Sequence, residues 1–255
     1  MTTTRQNGSL YTNIQNKIAT IEFGHPASNS FPSELLERLT KELYKISEND
    51  AVSVIVLKSE GEKTFCAGAS FNELIAISNL EEGKQFFAGF ANAINAMRTC
   101  NKLIIGSVQG KAVGGGVGLA AACDYVLATE SAAIKLSEFT IGIGPFVIEP
   151  AVKRKIGIAG LTELTLDATT WKNAYWAKEK GLYAKVFEDI KTLENEVEIL
   201  SEKLASYNPD ALTEMKNVLW KGTENWNELL TERAAISGEL VLSGFTKNAL
   251  EKFKK

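Results

Sequence analysis

The densest group of glycines in this chain spans residues 110–118, with the sequence Gly110-Lys111-Ala112-Val113-Gly114-Gly115-Gly116-Val117-Gly118. The group lies between an apolar run and an alanine-rich segment, and glycines there allow the backbone to approach a ligand closely. Its spacing matches neither the P-loop, GxxxxGK followed by Ser or Thr, nor the dinucleotide motif GxGxxG. Two alternatives remain: close packing of a helix on a sheet, or amides at a helix N-terminus that bind an anion or an oxygen that becomes negative during a reaction.

A second irregular loop has the sequence Phe65-Cys66-Ala67-Gly68-Ala69-Ser70 and follows another apolar run. By itself, this loop is better explained by packing. Together with the glycine group, however, it would leave the same end of neighbouring parallel strands, which is where open α/β sheets bind ligands. Two amides facing each other at that edge would form an oxyanion hole.

The composition limits the chemistry further. His25 is the single histidine in 255 residues, whereas hydrolytic triads and most first-row metal sites need imidazoles. The three cysteines are too few and too scattered for a disulfide framework or a zinc pair, so we expect a reducing cytoplasmic location and no metal site. With 28 Lys and Arg against 31 Asp and Glu, and no apolar run of membrane-spanning length, neither nucleic acid nor a membrane is an expected partner. The chemistry should therefore depend on carboxylates or backbone donors.

The elements that would position these loops follow an α/β pattern. Alternating residues predict a hairpin over residues 10–23 that turns at Asn16-Lys17. Short apolar runs predict strands over residues 51–57, 103–108 and 125–128. Helical spacing predicts helices over residues 33–47, 88–97 and 115–122. From Trp171 onward the strand signal fades, which predicts a core of residues 1–170 followed by a helical subdomain of residues 171–255.

Several motifs follow one another along the chain: Phe65-Cys66-Ala67-Gly68-Ala69, Gly110 with Gly114-Gly115-Gly116, Cys123-Asp124, Leu136-Ser137-Glu138 with Gly142 and Pro145, and then Ala174, Ala177 and Gly181-Leu182. In this combination they resemble the crotonase, or enoyl-CoA hydratase/isomerase, family over roughly residues 9–255. The resemblance implies an α/β fold, a crotonase-type spiral of ββα units with C-terminal helices that cap it and mediate trimerisation. It also implies an acyl-CoA thioester as substrate, assembly as a homotrimer or homohexamer, and no metal or redox cofactor.

The resemblance also implies catalytic roles. The oxyanion-hole amides fall on Ala69 and Gly115, in agreement with the loops identified above, and the acid/base falls on Glu138. Family hydratases that use two glutamates have the other one where this chain has Gly118. Glu138 is therefore the one carboxylate at a catalytic position of the family. Glu149 is either another carboxylate for the pocket or a solvated loop residue.

Substrate contacts implied by the resemblance fall on Ala67, Gly68, Gly114, Gly118 and Lys252. Lys252, with the following Lys254 and Lys255, would either meet the CoA phosphates or remain solvated. Ser70 occupies a position where the family usually has an aspartate that supports the loop. We expect Asp124 to act as a cap or turn acceptor.

Three functions are compatible with these residues. The first is an enoyl-CoA hydratase, in which Ala69 and Gly115 polarise the thioester carbonyl and Glu138 deprotonates water for addition at the β carbon. The second is a Δ3,Δ2-enoyl-CoA isomerase, in which one glutamate moves a proton from the α to the γ carbon. The third is an acyl-CoA binding protein without activity. Residues 116–119 and 136–150 are similar to bacterial hydratases of methylglutaconyl-CoA and related branched thioesters, which favours hydration.

Overall fold

Two β-sheets organise the chain, and the smaller one leads directly into the loops identified from the sequence. The computed structural model describes residues 7–252. The larger sheet has six strands in the order β1 (Ser9–Gln15), β2 (Ile18–Gly24), β3 (Val54–Ser59), β5 (Leu103–Val108), β7 (Tyr125–Thr129) and β9 (Lys185–Phe187). The smaller sheet has three strands in the order β4 (Thr64–Cys66), β6 (Lys111–Val113) and β8 (Ile134–Lys135). Strands β1 and β2 are antiparallel, and the other pairs of neighbouring strands are parallel.

The predicted hairpin is confirmed, and its turn lies at the predicted residues. Asn16 and Lys17 both have positive φ angles, 51° and 65°, as a two-residue hairpin turn requires. Along β2 the buried side chains are Ala19, Ile21 and Phe23, so one face of this strand packs on the core. Strand β3 is buried on both faces because helices cover each side of the sheet, and this explains its continuous apolar run.

Ten α-helices surround the sheets: α1 (Ser33–Ser47), α2 (Phe71–Ala76), α3 (Leu80–Thr99), α4 (Gly115–Ala122), α5 (Glu149–Leu166), α6 (Ala174–Glu179), α7 (Ile190–Ala205), α8 (Pro209–Leu219), α9 (Trp226–Leu240) and α10 (Gly244–Glu251) within residues 7–252. A short 3₁₀ turn covers Glu138–Ile141. Helices α1 and α4 have the predicted bounds, whereas α3 begins at Leu80 rather than Ala88 because Asn79 caps it by accepting a hydrogen bond from the Glu82 amide. Within the same described range, none of the helices is long and apolar enough to cross a membrane.

Helix α4 begins so close to the smaller sheet that Gly116, in its first turn, has no room for a side chain. A Cβ atom at Gly116 would lie 2.4 Å from the carbonyl oxygen of Cys66, at the end of β4. Beyond this contact the helix is built from small apolar residues and is buried. The glycine group therefore allows close packing of a helix on a sheet, which was one of the two alternatives for this segment. This packing brings the two irregular loops together.

The segment after Trp171 is less purely helical than the sequence predicted. Strand β9 lies in this segment and extends the larger sheet by pairing with β7. Helix α7 packs on the same sheet through Leu193 and Val197, which join a buried cluster with Val54 and Val56. The main core likewise includes residues from both sides of the predicted boundary at residue 170. The described part of residues 171–255 therefore shares its core with the rest of the chain.

A buried ion pair fastens α8 to the sheet. The Nζ atom of Lys216 lies 2.9 Å from Oδ2 of Asp124, and the two side chains are 1% and 4% exposed. The same ammonium donates hydrogen bonds to two main-chain carbonyls. Asp124 also accepts hydrogen bonds from the Trp220 indole at 2.6 Å and from the Ile104 amide at 2.7 Å. Asp124 was expected to cap a turn, and the structure shows that it connects three separate segments of the chain.

Candidate active site

The two irregular loops leave the same edge of the smaller sheet and contact each other. Strands β4 and β6 are parallel neighbours, and the loops begin where these strands end, after Cys66 and Val113. A Cβ atom at Gly68 would lie 3.1 Å from the Val113 carbonyl oxygen and 3.5 Å from the Gly115 amide nitrogen. Within residues 7–252, neither the Ala69 amide nor the Gly115 amide donates a hydrogen bond to the protein. Both donors are therefore available to a ligand, as an oxyanion hole requires.

Gly114 allows the carboxyl group of Glu138 to approach this pair of loops. Its φ and ψ angles of 53° and −119° are ones that residues with a side chain rarely adopt. A Cβ atom at this position would also lie 2.8 Å from Oε1 of Glu138. Any side chain at residue 114 would thus strain the backbone and displace the carboxyl group.

Glu138 follows β8, which is the parallel neighbour of β6, and begins the 3₁₀ turn. Although the residue as a whole is half-buried, its Oε2 atom is buried and has no hydrogen-bond partner within residues 7–252. Burial raises the pKa of Glu138 to about 7, against a small opposing effect of its own backbone. A carboxyl group with a pKa near 7 can both accept and release a proton at neutral pH.

A cavity of about 380 Å³ opens beside these groups. The sequence-predicted residues in its wall are Ala67, Gly68, Ala69, Gly114, Gly115 and Glu138. Aromatic rings form much of the remaining wall, namely Phe71, Phe86, Phe87, Phe90 and Phe146. The polar side chains in the wall are Lys135, Ser137, Thr140 and Ser237. The arrangement is an apolar cavity with two backbone donors and one carboxyl group at one side, a combination suited to an apolar thioester whose carbonyl oxygen becomes negative.

The wall contains residues that sequence reasoning missed. Phe90 is the most restrictive of them, because a Cβ atom at Gly115 would lie 2.3 Å from its Cζ atom. Phe86, Phe87 and Phe90 lie one helical turn or less apart on α3, and this spacing is the signal that could have identified them. Lys135 belongs to a strand of two residues, which is too short to give a periodic signal.

Gly118 was expected to contact substrate, and the structure places it elsewhere. It is buried in α4 and does not belong to the described cavity wall. A Cβ atom at Gly118 would lie 2.4 Å from Cγ2 of Ile148, and Ile148 itself lines the cavity. The space that a second glutamate would need is therefore filled by an isoleucine side chain, which the sequence alone did not reveal.

Three other expectations concern residues near the site. Lys252 is exposed at the end of α10 and does not belong to the described wall, and Lys254 and Lys255 lie outside the described residues. Glu149 is not in that wall either, and its carboxylate lies 3.7 Å from Lys153 and 3.8 Å from Arg233.

Ser70 supports the loop by capping α2, since its Oγ atom accepts a hydrogen bond from the Glu73 amide at 3.3 Å.

Within residues 7–252, no cluster of His, Cys, Asp and Glu side chains could hold a metal ion. The three cysteines, Cys66, Cys100 and Cys123, are free and buried. Burial raises the pKa of both Cys66 and Cys123 to about 12, which leaves these thiols protonated and unreactive. Glu138 is the carboxyl group of the described cavity wall, and its pKa of about 7 suits proton transfer at neutral pH.

Comparisons with known proteins agree with this geometry. A family profile described as enoyl-CoA hydratase/isomerase matches residues 13–249. The peroxisomal Delta(3,5)-Delta(2,4)-dienoyl-CoA isomerase of Arabidopsis thaliana is 30% identical over 211 residues, which cover 77% of this chain and 74% of that protein. The short-chain-enoyl-CoA hydratase of Clostridium acetobutylicum is 28% identical over 212 residues, covering 82% of this chain and 80% of that protein. This chain therefore belongs to the enoyl-CoA hydratase/isomerase family.

The fold comparison leads to the same family architecture. The crystal structure of an enoyl-CoA hydratase from Bacillus halodurans superimposes with a TM-score of 0.89 at 21% identity, covering 95% of this chain and 99% of that one. The predicted fold class, an α/β crotonase fold with C-terminal helices, is confirmed. The protein is an enzyme of this family, and the family implies an acyl-CoA thioester as its substrate.

Proposed function

We propose that this enzyme moves the double bond of an enoyl-CoA thioester by proton transfer through an enolate, as a Δ3,Δ2-enoyl-CoA isomerase. The observation that carries the proposal is the lone carboxyl group of the described cavity wall. Glu138 is buried, has a pKa of about 7, and lies against the loop that carries the Gly115 amide. The sequence motifs alone favour hydration. Ile148 reverses that preference, because it occupies the space that a second acid would need.

The proposed reaction needs one group that both accepts and donates a proton. The carboxylate of Glu138 removes a proton from the α carbon. The electrons of that C–H bond form a double bond to the carbonyl carbon, and the carbonyl π electrons move to the oxygen, whose negative charge accepts hydrogen bonds from the Ala69 and Gly115 amides. When the carbonyl re-forms, the electrons of the enolate double bond form the new bond between the α and β carbons, and the electrons of the former β,γ double bond take the proton from Glu138 at the γ carbon. A second carboxylate has no role in this sequence of steps.

Hydration is the second candidate, and polar groups beside Glu138 favour it. Ser137 and Thr140 line the cavity on either side of Glu138 in sequence, and their oxygens could hold a water molecule near the carboxylate. Glu138 would then have to deprotonate the water and return the same proton to the α carbon. The relatives described above are named for isomerisation and for hydration, so their names support both candidates.

A direct comparison of two substrates distinguishes these functions. The enzyme is incubated with hex-3-enoyl-CoA and, separately, with hex-2-enoyl-CoA, and the products are identified by mass spectrometry and by the absorbance of the conjugated thioester. We expect the 3-enoyl thioester to be converted to the 2-enoyl isomer faster than water adds to the 2-enoyl thioester. Efficient hydration without isomerisation would overturn the proposal in favour of the hydratase.

The proposal for the type of acyl chain rests on the cavity wall. Neither relative described above is named for a branched substrate. The aromatic wall favours an apolar segment next to the reacting carbons, and it is compatible with the branched thioesters suggested by the sequence resemblance. A panel of straight and branched enoyl-CoA thioesters tests this point. We expect activity on both kinds of chain, and activity restricted to the shortest straight chain would contradict it.

We further propose that the enzyme assembles as a homotrimer or homohexamer. Large apolar side chains are exposed on several helices, and they include Ile158, Leu166, Tyr175, Val218 and Phe245. Exposed apolar surface of this kind is typical of regions that subunits cover in an oligomer. Native mass spectrometry should give three or six subunits, and a monomer at micromolar concentration would contradict the proposal.

A further inference from the structure

Among the described residues of the cavity wall, Lys135 is the one cationic side chain. Its Nζ atom lies 4.6 Å from the centre of the Trp171 ring, and Trp171 is outside that wall. The ammonium therefore stands at an edge of the cavity. Lys111 places a second ammonium 5.0 Å from the same ring. Within residues 7–252, neither lysine forms an ion pair with a carboxylate.

The aromatic ring holds these charges without neutralising them. An ammonium over the face of a tryptophan ring is attracted by the ring electrons, but it keeps its full charge for an anion. Lys172, which also lies near a tryptophan ring, is by contrast paired with carboxylates, at 2.9 Å from Glu163 and 3.0 Å from Asp167. The positive charge beside the cavity is thus held in place and left without a protein counterion in the described structure.

Lys135 is also separate from the catalytic carboxyl group. Its Nζ atom lies over the Trp171 ring, and the Oε2 atom of Glu138 has no hydrogen-bond partner within residues 7–252. The two groups are therefore not paired, although the residues are only three positions apart.

The order of the strands shows which part of a substrate would approach Lys135. Ala69 follows β4, Gly115 follows β6, and Glu138 follows β8, and these three strands lie side by side in that order. A thioester whose carbonyl oxygen contacts the first two residues and whose reacting carbon faces Glu138 extends from β4 toward β8. Lys135 ends β8, on the far side of the sheet from β4. The distal end of the acyl chain would therefore approach Lys135.

We propose that Lys135, held over Trp171, is a specificity-determining residue that binds an anionic group at the distal end of the acyl chain. The preferred substrates are then enoyl-CoA thioesters whose acyl chain ends in a carboxylate. This inference rests on the proposed function, because the direction of the acyl chain follows from the roles of Ala69, Gly115 and Glu138. A carboxylate that entered this largely apolar cavity without a cationic partner would lose much of its hydration without compensation.

Binding measurements with saturated thioesters test the proposal without relying on turnover. Hexanoyl-CoA and the mono-CoA thioester of hexanedioic acid have the same number of acyl carbons and differ in the terminal carboxylate. Isothermal titration calorimetry on the wild-type enzyme should give at least tenfold tighter binding of the carboxylated thioester. Lys135→Met should reduce this ratio to about one or below, whereas Lys135→Arg should retain most of it. A wild-type ratio of one or less would overturn the proposal.

Two controls separate this role from general electrostatics and from contact with CoA. Lys111→Met removes the other ammonium from Trp171 but lies outside the described wall, so we expect less than a threefold change in the ratio. Pantetheine thioesters of the same two acids lack the nucleotide phosphates. If Lys135→Met weakened both CoA thioesters equally and left both pantetheine thioesters unchanged, Lys135 would bind a CoA phosphate and the proposal would be wrong.

Turnover of the corresponding 3-enoyl thioesters is measured separately. If the wild-type enzyme binds the carboxylated thioester through Lys135 but isomerises no thioester, the proposed function is wrong and the anion site remains. If the enzyme isomerises both thioesters with equal kcat/KM and binds both equally well, the proposed function stands and the anion site is refuted. Circular dichroism of each variant confirms that differences do not arise from unfolding.

Discussion

Two buried carboxyl groups, those of Asp124 and Glu138, have opposite surroundings. The oxygens of Asp124 accept hydrogen bonds from Lys216, from the Trp220 indole and from the Ile104 amide. By contrast, Oε2 of Glu138 has no partner within residues 7–252, and burial raises the pKa of this residue to about 7. The carboxylate of Asp124 is thus bound by three donors of the protein, whereas the carboxyl group of Glu138 keeps an oxygen without a partner.

The difference distinguishes a carboxylate that connects segments of the fold from the one proposed to transfer protons. A buried polar atom without a partner costs stability, and native proteins retain such atoms mostly where a function requires them. Asp124 joins α8 to β5 and to the end of α4, so its role is to connect segments that are far apart in sequence. The Oε2 atom of Glu138 forms no hydrogen bond within residues 7–252, so it is available to a substrate.

The strongest test of the contrast is Glu138→Gln. We expect turnover to fall by roughly 100- to 10,000-fold, because the amide keeps the shape of the side chain but cannot accept a proton. At about pH 4, where the carboxyl group of folded Glu138 is protonated, the melting temperature should change little, since no ion pair is lost. Initial rates with an enoyl-CoA thioester and a thermal melt check both expectations. Turnover near the wild-type level would show that Glu138 is not the acid/base.

Lys216→Met should have the opposite pattern, with a large effect on stability. Removing one partner of a buried ion pair typically costs about 3 to 5 kcal/mol, because the other charge is left uncompensated. Chemical denaturation measures the loss. The double variant Lys216→Met with Asp124→Asn is the matched control and should recover part of the loss, because it leaves no buried charge behind. If Lys216→Met were as stable as the wild type, the ion pair would have no structural role.

Installing a second acid would bring the surroundings of Glu138 closer to those of a two-glutamate site. Gly118→Glu alone should lower the unfolding free energy by about 1 to 3 kcal/mol, since its Cβ would overlap Ile148. Adding Ile148→Ala supplies space, and we expect the double variant to hydrate hex-2-enoyl-CoA several-fold faster than either single variant. Product analysis by mass spectrometry measures this ratio. Equal hydration in all three variants would indicate that proton delivery does not limit the addition of water.

The smallest expected effects are those of pH. In the proposed reaction the carboxylate form of Glu138 removes the α proton, so kcat/KM should rise with pH and level off above about 7. Stability should respond in the other direction. Because the folded pKa is raised from 4.5 to about 7, the native state binds more protons than the unfolded chain between these values, and the unfolding free energy falls as pH rises through them. Glu138→Gln should remove this contribution from denaturation curves measured from pH 4 to pH 8, and an unchanged slope would contradict the assignment.

Local patterns predicted the regular elements well. The hairpin turn at Asn16-Lys17, helix α1 and strand β5 follow from alternation, helical spacing and an apolar run, and the structure confirms them. The smaller sheet escaped prediction because its strands have two or three residues, which is too few for a period to appear. Its loops were nevertheless found, since their glycines and small residues mark backbone that approaches another group closely.

The site was predicted where it depends on local motifs and missed where it depends on tertiary contacts. The positions of Ala69, Gly115 and Glu138 could be assigned from short motifs, and the structure brings them to one cavity. The contact between Ile148 and Gly118 joins α4 to residues thirty positions later, and the pair of Asp124 and Lys216 spans 92 positions. No local pattern encodes such pairs, and for this reason the filled position beside α4 and the connecting role of Asp124 became visible only in the structure.

The proposed oxyanion donors belong to the main chain, and this has an evolutionary consequence. Almost any mutation at residue 69 keeps the donor, since only proline removes the backbone N–H group. The position of that donor depends on the parallel register of β4 and β6, in which Thr64 pairs with Lys111 and Cys66 with Ala112. Selection on carbonyl activation would therefore act on strand pairing, while side chains of the cavity wall could change independently. Descendants of this chain could acquire new substrates without rebuilding the group that activates them.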